Sequence, residues 1–311
     1  MPRMTLAGGA GRTLLAECPG ALLHFFDTPA ACALRLVCRE FQAAVAAHPW
    51  EDMAAVILGS IGGWRACFPR ARCANVRMWA PGPRMRRAPM VDADFVHFVG
   101  LWELDMSCCT GVTDAAFVHL RGIRTLNMSF CLQADITNAG LAHLVGIQKL
   151  SIAGCSQATL TDAAFAPLHG IRLLNMSWCR QFTDAAFVHL QGIDTLLMRD
   201  CFQPGITDAA FARLEGISTL VMDACTQATI TGGAMEHLIG ITYLSIEKCS
   251  YAVQQRAEDL GLAIARHWQQ EELGEEYYAQ EELELHDEEA AMQDVYQQQQ
   301  QEEQDEQEEQ E

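Results

Sequence analysis

The chain has 311 residues, half of them apolar, and a formal net charge of −19. That length and apolar content exclude a wholly disordered chain and allow either two ordinary domains or one elongated array. Its 13 cysteines are odd in number and spread along a long chain, which argues against a disulfide-stapled secreted domain, and no apolar run reaches the roughly 18 residues of a membrane span.

Charge is segregated along the sequence. Residues 1–90 hold 11 Lys and Arg against 5 Asp and Glu, residues 91–268 hold 10 against 17, and residues 269–311 hold none against 18. Residues 1–13 read as a flexible N-terminus without the hydrophobic region of a signal peptide, so a soluble intracellular protein of cytoplasm or nucleus is expected.

Residues 14–55 carry a helical pattern. Leu22, Leu23, Phe25 and Phe26 recur at helical intervals after Pro19, "DTP" interrupts them, and Leu34, Val37, Phe41 and Val45 resume at i, i+3, i+7 and i+11. Two or three short amphipathic helices are predicted. At "LRLVCREF", Leu34 to Phe41, and "HPW", His48 to Trp50, the segment resembles an F-box. Its opening is about one helical turn shorter than usual, like the incomplete F-boxes encoded by large DNA viruses. The resemblance implies docking to a Skp-type adaptor of a cullin ubiquitin ligase, in the host cell if the chain is viral. Pro19, Leu22, Leu23, Phe26, Leu36, Val37, Cys38 and Phe41 would be the adaptor contacts or their support. The alternative reading of the same residues is a helical N-terminal cap on the segment that follows.

Residues 56–90 read as a linker plus a degenerate N-terminal capping repeat. "CANVRMW" at Cys73 to Trp79 is its strand half, and "MVDADFVHF", from Met90, copies the helix half found further on. "RMRR" at Arg84 to Arg87 lies between them in a Pro/Gly loop, either simply solvated or suited to an acidic peptide or nuclear import.

Residues 91–250 repeat. Aligned on cysteine, seven units end at Cys109, Cys131, Cys155, Cys179, Cys201, Cys225 and Cys249, in steps of 22, 24, 24, 22, 24 and 24 residues. The steps themselves recur as a three-unit block, which points to a duplicated block. Each unit has the form L/I-x-x-L-x-M/I/V-x-x-C, a loop, then T-D-A-A-F-x-x-L and a glycine. The first half alternates as a strand does, Leu126 and Met128 facing one way and Thr125, Asn127 and Ser129 the other. The second half starts a helix, with Thr113 as N-cap and Asp114 in the first turn. One strand and one helix in 22 to 24 residues cannot bury their own faces, so the units must stack. The pattern resembles the cysteine-containing subtype of leucine-rich repeats. The fold class expected is therefore α/β, a leucine-rich-repeat solenoid with a curved parallel sheet and helices on the convex side, preceded by a small all-α F-box-like domain.

Repeat-wide cysteines are expected to be a ladder of buried thiols and not a metal or redox centre, there being no C-x-x-C. His97, His119, His143, His189 and His237 likewise form a row, and none has a unique nucleophile or carboxylate beside it. No catalytic residue, metal or cofactor is expected. Binding is assigned to outward strand positions: Glu103, Asp105, Asn127, Asn175, Leu197, Arg199, Val221, Asp223 and Tyr243. Phe130 and Trp178, each one residue before its cysteine, are either anchors or packing beneath the strand-end loop. A protein ligand is expected and nucleic acid is not, because the outward positions form no basic stripe.

Residues 251–268 place Val253, Ala257, Leu260, Ile264 and Trp268 on one face and are predicted to form a C-terminal capping helix. Residues 269–311 are Gln/Glu-rich, acidic and expected to be disordered. Together the F-box and leucine-rich-repeat resemblances imply a non-catalytic substrate-recognition subunit of an SCF-type ubiquitin ligase, monomeric outside that complex, with partner proteins transferring ubiquitin. A repeat scaffold with no ligase link is the alternative.

Overall fold

The computed structural model describes residues 23, 28–51, 61–76 and 90–265. Pro19, Leu22, Phe26, the Arg84 to Arg87 loop, Trp268 and the acidic tail lie outside the described residues. Among those described, eight three-residue strands pair in chain order into one all-parallel sheet. They are β1 Cys73–Asn75, β2 Glu103–Asp105, β3 Thr125–Asn127, β4 Lys149–Ser151, β5 Leu173–Asn175, β6 Thr195–Leu197, β7 Thr219–Val221 and β8 Tyr243–Ser245. The register never slips: Leu104, Leu126, Leu150, Leu174, Leu196, Leu220 and Leu244 form one continuous row. The degenerate first unit joins through β1, and the Met90 segment supplies its helical half as a 3-10 turn, Asp92–Phe98.

The helices are α1 Thr28–Leu34, α2 Arg39–Ala47, α3 Ile61–Cys67, α4 Asp114–Phe117, α5 Asn138–Leu141, α6 Asp184–Phe187, α7 Asp208–Phe211, α8 Gly232–Met235 and α9 Tyr251–Asp259. In the repeats they are single turns, several continued as 3-10 helix, because only about ten residues separate each loop from the next strand. The core lies between the sheet and these turns. It is lined by the strand Leu and Met rows, the helical Phe residues and the seven cysteines, all almost wholly buried.

Two sets of bonds join one repeat to the next. The threonine N-caps Thr113, Thr137, Thr183, Thr207 and Thr231 each accept from the backbone N–H two residues on, as Thr113 does from Ala115 N. Their own N–H and O–H donate backward to the first-turn aspartate of the previous repeat. Thr207 donates to Asp184 at 2.7 and 2.6 Å, Thr183 to Asp162 at 2.8 and 2.7 Å, and Thr137 to Asp114 at 2.7 and 2.6 Å. The aspartate is therefore an inter-repeat clamp as well as a dipole partner. Asn138 fills the same place, accepting from Thr161 N and donating to Thr161 Oγ1.

Three elements differ from the sequence reading. Within 56–90, read as a linker plus a degenerate capping repeat, lies a helix that the sequence reading did not assign, α3, with Trp64 and Phe68 in the core. The face expected to run unbroken from Leu34 to Val45 breaks, because Leu34 is closed off by a 3-10 bond from Val37 and Cys38 adopts an extended conformation. The capping helix stops at Asp259, not Trp268. Gly261, in left-handed backbone at φ 64°, turns the chain so that Ala263 accepts from Leu244 N and Ile264 bridges Leu244, covering the last strand. Among the described residues no helix is long and apolar enough to cross a membrane.

Removing one clamp tests the stacking argument. Asp184→Ala leaves Thr207 without two partners and should lower unfolding free energy by about 2 kcal/mol in urea titrations. Asp184→Asn should cost less, since Asn138 shows that an amide serves.

Candidate functional site

The outward side of the sheet is where the repeats differ from one another. Parallel strands in strict register stand about 4.8 Å apart, so each outward side chain is flanked by its counterparts on both sides. Asp105, Asn175, Leu197 and Tyr243 are buried, and Val221 is wholly so. Glu103, Asn127, Arg199 and Asp223 are half-buried. The apolar end that the sequence offers as open surface, Leu197 to Tyr243, is thus withdrawn from solvent.

The polar outward residues satisfy one another. Asn127 Oδ1 accepts from the N–H and O–H of Ser129 at 3.0 and 2.7 Å, Asp105 does the same for Ser107, and Asn175 accepts from Ser177 N. The repeated word "NMS" is therefore a side-chain turn that bends the chain off the strand; its asparagine and serine are not free groups presented to a ligand. At the C-terminal end Arg199 Nε lies 3.4 Å from Asp223 Oδ2, and Asp223 also accepts from Ser245 Oγ and Glu247 N.

That bend puts the residue before each cysteine in left-handed backbone: Cys108, Phe130, Trp178, Asp200, Ala224 and Lys248 have φ between 55° and 60°, and Gly154 has 68°. Phe130 is buried, Trp178 is half-buried, and their rings meet at 5.9 Å across the rung of Gly154. A Cβ on Gly154 would overlap the Phe130 ring. Phe130 is thus packing beneath the strand-end loop, and Trp178 keeps an accessible edge. One block later the same three rungs carry Asp200, Ala224 and Lys248, so the aromatic pair is not a feature of the duplicated unit. Leu132 and Phe202 are exposed on the following loops, Phe202 under the Arg180 guanidinium at 4.2 Å.

The opposite rim of the sheet holds a feature that the strand pattern did not single out. Trp102 is stacked between two guanidinium groups from the rungs before and after it, Arg72 at 3.7 Å and Arg124 at 4.4 Å. The sequence signal was the first variable position in L/I-x-x-L, Trp102 in Leu101 to Leu104, a position to which the strand pattern assigned no role.

The cysteines face inward. Each thiol donates to the carbonyl of the preceding repeat: Cys131 to Met106 O at 3.3 Å, Cys155 to Met128, Cys179 to Ile152, Cys201 to Met176, Cys225 to Met198 and Cys249 to Met222, at 3.0 to 3.2 Å. Burial pushes Cys201 and Cys249 up to about 12 from an ordinary 9.0 and holds Cys131, Cys179 and Cys225 well above it too. A protonated thiol is the donor this bond needs and is a poor nucleophile. The histidine row has local partners: His143 with Arg121 at 3.2 Å, His237 with Glu215 at 3.8 Å, and His189 edge-on to His169. Among the described residues no group of three or more His, Cys, Asp or Glu is placed to hold a metal ion.

At the N-terminal end, Leu36 is 83% and Val37 63% exposed in the turn between α1 and α2, and Cys38 is exposed beside them. Phe41 is half-buried on α2 and Leu23 is buried. Trp50 joins this end to the repeats: its ring packs on Phe68 at 5.8 Å, its Nε1 donates to Val45 O, and its carbonyl accepts from Arg72 N. Arg70 reaches Ala47 O, and Arg65 reaches Val99 O.

The fold is that of leucine-rich-repeat proteins. The chain is similar to TLR13 in its complex with ssRNA13, at 15% identity and a TM-score of 0.51 over 67% of this chain and 30% of that one. It is also similar to Toll in the Drosophila Toll–Spatzle complex, at 11% identity and 0.48 over 68% and 31%, and to the yeast Rad7–Elc1 complex, at 12% and 0.39 over 68% and 71%. This chain thus spans less than a third of the first two, and at 15% identity the likeness to TLR13 is one of fold alone. No family model and no curated protein matches the chain.

Three measurements follow. Because the folded state keeps the thiol protons to higher pH than the unfolded chain does, the stability they contribute is fully present below pH 9 and lost as pH rises toward about 12. Urea midpoints should fall across that window, and a mild alkylating reagent at neutral pH should label Cys38 and spare the seven repeat cysteines. Gly154→Ala should cost roughly 1–2 kcal/mol and shift tryptophan emission, through left-handed strain and displacement of the Phe130 ring against Trp178.

Proposed function

We propose that this chain is a non-catalytic recognition subunit that binds a Skp-type adaptor of a cullin ubiquitin ligase through its N-terminal helices and a protein substrate through its repeats. Its contribution would be proximity: it would hold the substrate where partner proteins transfer ubiquitin. The observation that carries the reading is the exposure of Leu36 and Val37 within the F-box-like motif. A segment serving only as a cap gains by burying such residues, whereas one that docks a partner holds them outward.

A second reading has its own support. Ala31, Val45 and Trp50 belong to the same continuous core as the repeats, as a capping segment's residues would. On that reading the chain is a repeat scaffold that competes for a partner by occupancy, with no ligase link. Deleting residues 1–55 would remove part of this core and confuse unfolding with loss of binding, so point variants are the sharper probe.

Co-purification of the full chain with a Skp-type adaptor decides between the two. Capture is expected with wild type and should fall by about tenfold or more in Val37→Glu, a substitution at an exposed site that leaves the fold intact. Equal capture by both proteins sinks the docking assignment; no adaptor, with another protein retained, favours the scaffold.

A further inference from the structure

The rim on which the strands begin has an uneven charge. Its backbone is a continuous ladder: Arg124 N donates to Trp102 O at 2.8 Å, Gln148 N to Arg124 O at 2.8 Å, and Arg172 N to Gln148 O at 2.9 Å. Lys149 stands in register between Thr125 and Leu173. Arg124, Lys149 and Arg172 therefore occupy three consecutive rungs spanning roughly 10 Å. All three are exposed.

Their partners are unequal. Arg72, on the first rung, is engaged by Glu51 at 2.7 Å. Arg172 pairs with Asp194 at 3.0 Å, but both side chains are more than half exposed, so that pair is readily exchanged. Arg124 and Lys149 have no ion-pair partner among the described residues. Arg124 is nevertheless held, stacked on Trp102, which leaves the N–H edges of its guanidinium available and lowers the entropy lost when they bind.

We propose that Arg124, Lys149 and Arg172, with Trp102 as the platform for Arg124, form a docking site for a short anionic segment of a protein partner. The segment would carry one phosphorylated residue or two neighbouring carboxylates. This rests on the reading that the repeats hold a protein, and it supplies the chemistry by which they would recognise it. The width of the site is what selects a short segment. Glu103 bounds it on the preceding rung and Asp194 on the following one, so an extended peptide at about 3.3 Å per residue places only two or three side chains over the cations. A nucleic-acid backbone would continue its charge over both acids, against a repeat region, residues 91–268, that itself holds 17 acidic against 10 basic residues.

Fluorescence anisotropy on the full chain tests this with three labelled peptides of one sequence, carrying phosphoserine, paired glutamates or neutral residues at the centre. One or both anionic peptides should bind about tenfold or more tightly than the neutral one, the better of the two identifying phosphate or carboxylate as the ligand group. The preference should weaken at about 0.5 M salt. Arg124→Glu with Lys149→Glu should abolish it, Trp102→Leu should reduce it with both charges intact, and Arg213→Glu, an exposed arginine after α7, should leave it unchanged. Equal binding of all three peptides, an equal loss from Arg213→Glu, or displacement by a single-stranded oligonucleotide at lower concentration than by the anionic peptide would overturn the site. Adaptor capture measured on the same variants separates the two ideas. Capture without anion preference removes only the rim, and anion preference without capture removes only the ligase role.

Discussion

Each rung of this array needs the one before it to satisfy its own polar groups. The carbonyl of Met106 receives the thiol of Cys131, and the same bond recurs up to Met222 and Cys249; the N–H and O–H of Thr137 are received by Asp114, and those of Thr231 by Asp208. A unit of 22 to 24 residues has too little apolar surface to offset the chain entropy of folding alone. Stacking supplies both the missing burial and the missing bonds. Two letters that the repeat keeps, the cysteine in every unit and the threonine that opens each turn from Thr113 to Thr231, are ones that cross from one rung to the next.

The same constraint decides where the chain is free to differ. Outward strand positions are crowded at the interstrand spacing, and the middle of the sheet has filled them with short residues that bond to one another, Asn127 with Ser129 and Ser129 with Ser151. Larger groups gather at the two rims, where a rung has space on one side. The strand-end rim takes an aromatic pair around Gly154. The opposite rim takes a tryptophan between two arginines. Variation at the rims costs the stack little, which makes them the places where one such array can be distinguished from another.

The N-terminal helices are tied into this arrangement through Trp50, Trp64 and Phe68, so the Leu36 to Cys38 turn is held out from a firm base. The turn exists because Cys38 is extended between two helices. An unbroken helix through this stretch would have carried Val37 round to the buried side with Leu34 and Val45. The interruption puts the two most exposed apolar residues of the motif into solvent.

Periodicity alone determined the number of rungs, the inward row of leucines and methionines, the burial of the cysteines and the threonine caps, because each depends on local alternation or on a spacing that repeats. The sequence could also place Phe130 and Trp178 at matching positions. It could not decide that Phe130 is packing and Trp178 an edge, that Asn127 is consumed by Ser129, or that Asp114 reaches the next repeat. Nor could it bring Arg72, Trp102 and Arg124, up to 52 positions apart, into one stack. Those outcomes depend on distances between rungs, and only the register of the assembled sheet fixes them.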